Sequence, residues 1–235
     1  MRNSPTRSPS AEERLVWDLP VRTMHWLLAI ATFGAWLSHY DLDEYFTVHV
    51  FCGCTVLVLV VTRIVWGFTG TRHARFANFI QGPRAMLRYL RAIASSSGYV
   101  GHNPLGAAMV LLLLGLLLAQ AVTGLLANDQ IANAGPLFGY VSTVVSDRLS
   151  GIHRLLGNVI LICVCMHTGA VLAYLLLKRE NLIRPMLTGK KPAVLVPEHA
   201  AISGSLTARA ALIAAAVTAV LLLLIYMAPK ATLAF

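Results

Sequence analysis

Five long apolar stretches decide what this chain can become. They cover about 21–40, 49–68, 104–127, 151–177 and 207–228, each close to the roughly 20 predominantly apolar residues that a helix needs to cross a bilayer. The first is the least apolar, with Arg22 and His25 near its start, where Arg22 can snorkel to the interface. The fourth is longer than a bilayer requires and is expected to tilt or project beyond it. Composition agrees: 57% of the 235 residues are hydrophobic and 12% charged, against about 25% charged in a soluble domain. Half the usual charge cannot cover a water-facing surface, and so much apolar sequence excludes disorder. The fold class is therefore all-α and integral to a membrane.

The net charge of +9 would suggest nucleic acid in a soluble protein. Here the basic residues flank apolar segments instead, as membrane topology demands, and nucleic-acid binding is set aside. Arg2, Arg7, Arg14 and Arg22 precede or open the first stretch. Arg72, Arg75, Arg84, Arg88 and Arg91 lie between the second and third, and Lys178, Arg179, Arg184, Lys190 and Lys191 between the fourth and fifth. The other side carries Asp41, Asp43 and Glu44, with only Arg148 before the fourth stretch. This asymmetry places the N-terminus in the cytoplasm and, with five spans, the C-terminus outside.

The chain then divides into a cytoplasmic tail (1–20), a four-span region (21–187), a cytoplasmic linker (188–206), a fifth transmembrane helix (207–228) and an extracytoplasmic tail (229–235). The polar N-terminal tail is expected to lead into an uncleaved anchor. Trp17, Trp26, Trp36, Tyr40, Tyr45 and Trp66 fall near helix ends, as interfacial aromatics do. Residues 82–94 read as a short amphipathic helix, with Met86, Leu87, Leu90 and Ile93 opposite Arg84, Arg88 and Arg91. It is expected to lie on an anionic leaflet. The polar, proline-containing stretch 189–205 reads as a flexible link.

The histidines carry the chemistry, because an ionisable residue inside a membrane is costly and usually faces a partner or a cavity. Of the eight, His25 opens the first span on the cytoplasmic side and His49 opens the second on the outer side. His153 and His167 share the fourth. Their separation of 14 residues is about 21 Å of helix rise and within roughly 40° of a whole number of turns. Both imidazoles therefore project from one face, at depths that oppose His153 to His49 and His167 to His25. Two stacked sites with two imidazoles each suit a haem iron with two axial nitrogens. Zinc fits poorly, since two ligands leave its tetrahedral shell half-filled. Gly53 and Gly157 each follow a histidine by four residues and let a flat macrocycle lie against the backbone.

His39, His73 and His199 read as interfacial polar residues. His102, at the cytoplasmic start of the third span, competes with His25 as a ligand, or lines a quinone or haem-carboxylate site. There is no Cys-x-x-Cys-His, so covalent haem attachment is excluded. Cys52/Cys54 and Cys163/Cys165 read as small apolar fillers. Arg22 and Arg63 on the cytoplasmic side, and Arg148 or Arg154 on the outer side, are candidates to pair haem carboxylates, or else to anchor topology. Gln120 and Thr123 serve either another helix or a quinone.

Several motifs resemble the bacterial cytochrome b561 and nickel–iron hydrogenase b-type cytochrome family. They begin with Val16-Trp-Asp-Leu-Pro-Val-Arg-x-x-His25-Trp, His49-x-x-x-Gly53, Arg63-Ile-Val-Trp-Gly67 and Gly70-Thr-Arg-His-Ala-Arg-Phe76. Gly101-His-Asn-Pro-Leu-Gly106, His153-Arg-Leu-Leu-Gly157 and His167-x-Gly169 follow. The likeness covers about 14–187, in order. It implies a four-helix transmembrane bundle holding two non-covalent haem b groups that exchange electrons with membrane quinone, in a bacterial cytoplasmic (inner) membrane. The family's ligand positions fall on His25, His49, His153 and His167.

The reading is a transmembrane dihaem electron carrier between membrane quinone and an extracytoplasmic partner, a c-type cytochrome or a hydrogenase-like enzyme. Two other classes compete. A self-contained quinone oxidoreductase would oxidise a small donor such as superoxide without a partner protein. A haem-free transporter or assembly anchor would use the histidines for a metal or a proton.

Overall fold

The computed structural model describes residues 12–92 and 98–229. Arg2 and Arg7, Ile93 of the amphipathic segment and 230–235 of the C-terminal tail lie outside them. The major helices are α1 (Leu19–Ser38), α2 (Leu42–Thr69), α5 (Pro104–Leu125), α6 (Thr143–Leu177) and α8 (Thr207–Met227). Short helices α3 (Phe76–Phe79), α4 (Pro83–Arg91) and α7 (Ile183–Thr188) decorate one end, together with strands β1 (Glu13–Leu15) and β2 (Lys190–Pro192).

Four segments are long and apolar enough to cross a membrane: Glu44–Thr69, Pro104–Leu125, Thr143–Leu177 and Thr207–Met227. The expected first span forms α1, 20 residues long, but Arg22, Thr23 and His25 in its first two turns dilute its apolar character. Helix α6 runs for 35 residues, about 52 Å at 1.5 Å per residue, well beyond a hydrocarbon core of about 30 Å. It begins eight residues before the expected 151, because Ser142 caps it by accepting from the Val145 N–H at 3.4 Å.

Helix α2 is the centre of the bundle. It packs on α1, α5 and α8, while α6 packs on α5; no comparable packing joins α6 to α1 or α2. Helix α1 turns Met24, Ala31 and Ser38 inward at seven-residue spacing, and α5 turns Ala107, Leu114, Leu117 and Ala121, the stripe that a helix buries against a neighbour. Val56, Val60 and Ile160 complete the middle of the core with Phe76 and Phe79 from α3.

The start of α1 and the end of α2 meet at the basic end of the bundle. Asp18 caps α1 by accepting from the Val21 N–H at 2.7 Å. Its second oxygen accepts from Trp66 Nε1 at 3.1 Å and from the Thr71 hydroxyl. Asp18 is 1% exposed and Trp66 fully buried. A buried carboxylate is tolerable only when donors surround it, and here they join the start of α1 to the end of α2.

The stretch 189–205 is not a loose link. Strand β2 pairs antiparallel with β1, Arg14 opposite Lys191, and the Ser205 hydroxyl accepts from the Leu19 N–H at 3.0 Å. Gly189 makes the turn at φ +83°, where a Cβ would lie 2.6 Å from the Trp17 carbonyl. The amphipathic helix α4 spans Pro83–Arg91 and exposes Arg84, Arg88 and Arg91 as expected. Its protein-facing side is a third face: Tyr89 is buried and hydrogen-bonds Tyr174 of α6, which also accepts from Asn103 Nδ2 at 3.0 Å.

Candidate functional site

Two pairs of imidazoles bridge the interval between α1 and α2 on one side and α6 on the other. Away from the basic end, the ring centres of His49 and His153 are 6.1 Å apart, with the planes at 82°. Nearer the basic end, His25 and His167 are 6.3 Å apart, at 59°. A ligating imidazole nitrogen sits about 2.0–2.1 Å from its metal and about 1.1 Å from its own ring centre, so two rings flanking one metal have centres about 6.3 Å apart. Both pairs match that spacing. Among the described residues no group of three or more His, Cys, Asp or Glu side chains converges as a metal site. Each pair thus offers two nitrogens, the donor set of a metal whose other ligands come from a macrocycle.

The two pairs are held differently. His49 Nδ1–H donates to the Ala35 carbonyl at 2.9 Å, with the Ser38 hydroxyl 3.3 Å away. His153 Nδ1–H donates to the Gln120 carbonyl at 2.9 Å. Both rings are thereby fixed in the tautomer that carries the lone pair on Nε2, the usual orienting arrangement behind a ligating histidine. Gly124 makes room for the second ring: a Cβ there would lie 2.6 Å from His153 Cε1. Gln120 Nε2 stands 3.3 Å from His153 Nε2, and Thr123 spends its hydroxyl on the Ala119 and Gln120 carbonyls. At the other pair, His25 Nδ1 is buried without a hydrogen-bond partner and its ring meets Trp26 edge-on at 5.1 Å.

The glycines differ too. A Cβ on Gly53 would meet nothing within 4 Å, whereas one on Gly157 would touch the Gln120 side chain at 3.6 Å. Of the arginine candidates, Arg63 is buried, with Nη1 donating to the Ala74 carbonyl at 3.2 Å and its guanidinium over the Phe76 ring. Arg22 donates to the Leu187 carbonyl and keeps a buried, unpartnered Nε. Arg148 and Arg154 are exposed at the opposite end.

His102 does not join either pair. Its ring lies between Trp17 and Phe79, with centres 4.7 and 4.5 Å away, and its Nδ1 has no partner. Burial, then the nearby Arg63, His73, Lys191 and His25, push its pKa down to about 3, so it stays neutral under all ordinary conditions. His73 is a fastener, 2.8 Å from the Ala200 carbonyl through Nε2. His39 contacts the Trp36 carbonyl of its own helix, and the His199 carbonyl accepts from Arg72 at 2.6 Å. The four cysteines are free thiols.

Sequence reasoning missed the Asp18, Trp66 and Thr71 clamp, the backbone carbonyls behind His49 and His153, and Gly124. A glycine on an apolar helix at the depth of His153 was the one available signal.

The profile of the prokaryotic cytochrome b561 family matches residues 16–189. A protein of Rhizobium leguminosarum bv. viciae named "Probable Ni/Fe-hydrogenase B-type cytochrome subunit" is 26% identical over 210 residues, covering 75% of this chain and 87% of the relative. One of the same name from Rhodobacter capsulatus is 26% identical over 212 residues, covering 75% and 80%. No solved structure matches significantly.

Proposed function

Since the chain belongs to the prokaryotic cytochrome b561 family, we propose that it is a dihaem electron carrier spanning a bacterial cytoplasmic membrane, in which His25/His167 and His49/His153 would each hold one haem iron. Family membership implies haem b and electron transfer; two groups per chain, and their ligands, are the proposal. The observation that carries it is the pair of imidazole separations, 6.3 and 6.1 Å. Haem b supplies one-electron exchange at iron. The chain's own part is to hold, orient and bury the ligands, and to set the charge around them.

In this reading α1 crosses the membrane, the basic end faces the cytoplasm and the His49/His153 pair lies toward the outside. Arg14, Arg22, Arg72, Arg75, Arg84, Arg88, Arg91 and Lys190 gather at the basic end, which supports that orientation. Arg22 and Arg63 at the inner site, and Arg154 at the outer, are the arginines assigned to haem carboxylates. Gly53 and Gly157 would leave room for the macrocycle beside the backbone. The electron partners are membrane quinone and an extracytoplasmic redox protein. A hydrogenase-like partner is favoured because the relatives are named as hydrogenase cytochrome subunits. Helix α8 buries Ala210 and Leu221 and carries no histidine, so its role is packing or docking.

The test is a dithionite-reduced minus oxidised spectrum of purified protein, with extracted haem counted per chain. Two non-covalent b-type haems are expected. One would leave a ligand pair wrong, and none would refute the electron-carrier reading.

A further inference from the structure

A cleft of ≈ 450 Å³ opens at the basic end between the end of α2 and the start of α8. Arg72, Arg75 and Arg209 line it with Thr69, Thr71 and Ser203, and among the described residues the lining contains no Asp or Glu. All three arginines are exposed. The ion pairs among the described residues are Arg14 with Glu12 and Arg184 with Glu13, so none of the three has a carboxylate partner. Arg72 spends one nitrogen on the His199 carbonyl, at 2.6 Å. Three guanidiniums around one opening repel one another unless an anion sits between them. The planar fork of arginine suits phosphate oxygens in particular.

The place of the cleft narrows the ligand. Thr69 ends one segment able to span a membrane and Thr207 begins another, so the cleft lies at a membrane boundary. Phe68 and Leu212, 70% and 71% exposed, stand immediately on the membrane side of it. A dissolved phosphate would gain nothing from them, whereas acyl chains would.

We propose that this cleft is a binding site for an anionic phospholipid, with the headgroup phosphate held by Arg72, Arg75 and Arg209 and the chains laid over Phe68 and Leu212. Basic pockets between spanning helices hold such headgroups elsewhere. Residues 201–209 lie beyond the family match at 16–189, so half of the cleft's lining falls outside the matched region. Occupied, it would fasten α8 to the turn that carries Thr71, which donates to Asp18.

The test uses the full chain in phosphatidylcholine nanodiscs containing a minority of photoreactive phosphatidylglycerol, with crosslinked residues mapped by mass spectrometry. Crosslinks are expected around Phe68, Leu212 and 201–206, and should fall about tenfold in the Arg75→Gln/Arg209→Gln variant. The haem spectrum of that variant should match wild type, which separates loss of lipid from loss of fold. Photoreactive phosphatidylcholine crosslinking equally at these positions would overturn the proposal, as would a signal that survives the double substitution. Competition by millimolar inorganic phosphate would show a soluble-anion site instead, and would also overturn it.

Discussion

The His49/His153 and His25/His167 pairs have nearly the same ring spacing, 6.1 and 6.3 Å, yet the protein holds them by different means. His49 and His153 are both tied through Nδ1 to backbone carbonyls of neighbouring helices. His25 has no such tie, and order at the basic end comes from the Asp18 clamp and from aromatic packing. Charge differs as well. Arg22 sits one turn before His25, and the buried Arg63 and Lys191 border the adjacent His102, whereas Arg154 beside His153 is exposed and screened by solvent. A carbonyl behind an imidazole raises its basicity and favours the oxidised iron, whereas nearby cations favour the reduced iron. Both effects have the same sign, so the inner site should have the higher potential. Equal spacing gives the two pairs one geometry, and their surroundings distinguish them.

The most severe break of this comparison is loss of a ligand. His49→Ala and His153→Ala should each lower the haem count from about two to one per chain, and the double substitution should add little because the two act on one site. His25→Ala and His167→Ala should behave likewise for the inner site. Extracted haem read against the optical spectrum checks both.

Next comes Gly124→Val. The first added carbon lies 2.6 Å from the His153 ring, so that ring must move. Low-spin signals from the outer site should broaden or vanish in electron paramagnetic resonance while the inner signals persist.

Asp18→Ala should act at the inner end and on the fold. It leaves Trp66 Nε1 and the Thr71 hydroxyl buried without their acceptor, at about 2–3 kcal/mol. A lower unfolding temperature in detergent is expected, with the inner haem lost before the outer one. The smallest effect should come from His73→Ala, which removes one bond to the Ala200 carbonyl. Both haems should stay, with about 1 kcal/mol of stability lost.

The approach of His153 to His49 and of His167 to His25 was legible in the sequence, and the boundary of legibility is physical. Spacing along α6 put His153 and His167 on one face, and depth in the membrane chose their partners; both follow from helix geometry and charge placement. The ties behind His49 and His153 were not legible, because every residue has a carbonyl and nothing in Ala35 or Gln120 marks it as the acceptor. Asp18 read as part of a motif rather than a clamp, since its donors lie about fifty residues away. On α4, two faces of opposite character hid a third, where Tyr89 is buried. The stretch 189–205 looked loose because its order comes from pairing with β1 and from His73 and Arg72, not from local propensity.

The measurement that tests the central claim most directly is a potentiometric redox titration of wild type beside His49→Ala and His25→Ala. Two one-electron components are predicted in wild type, with His49→Ala losing the lower and His25→Ala the higher, separated by about 60 mV or more, a tenfold ratio for a one-electron couple. A single component, or loss of the higher one in His49→Ala, would contradict the account.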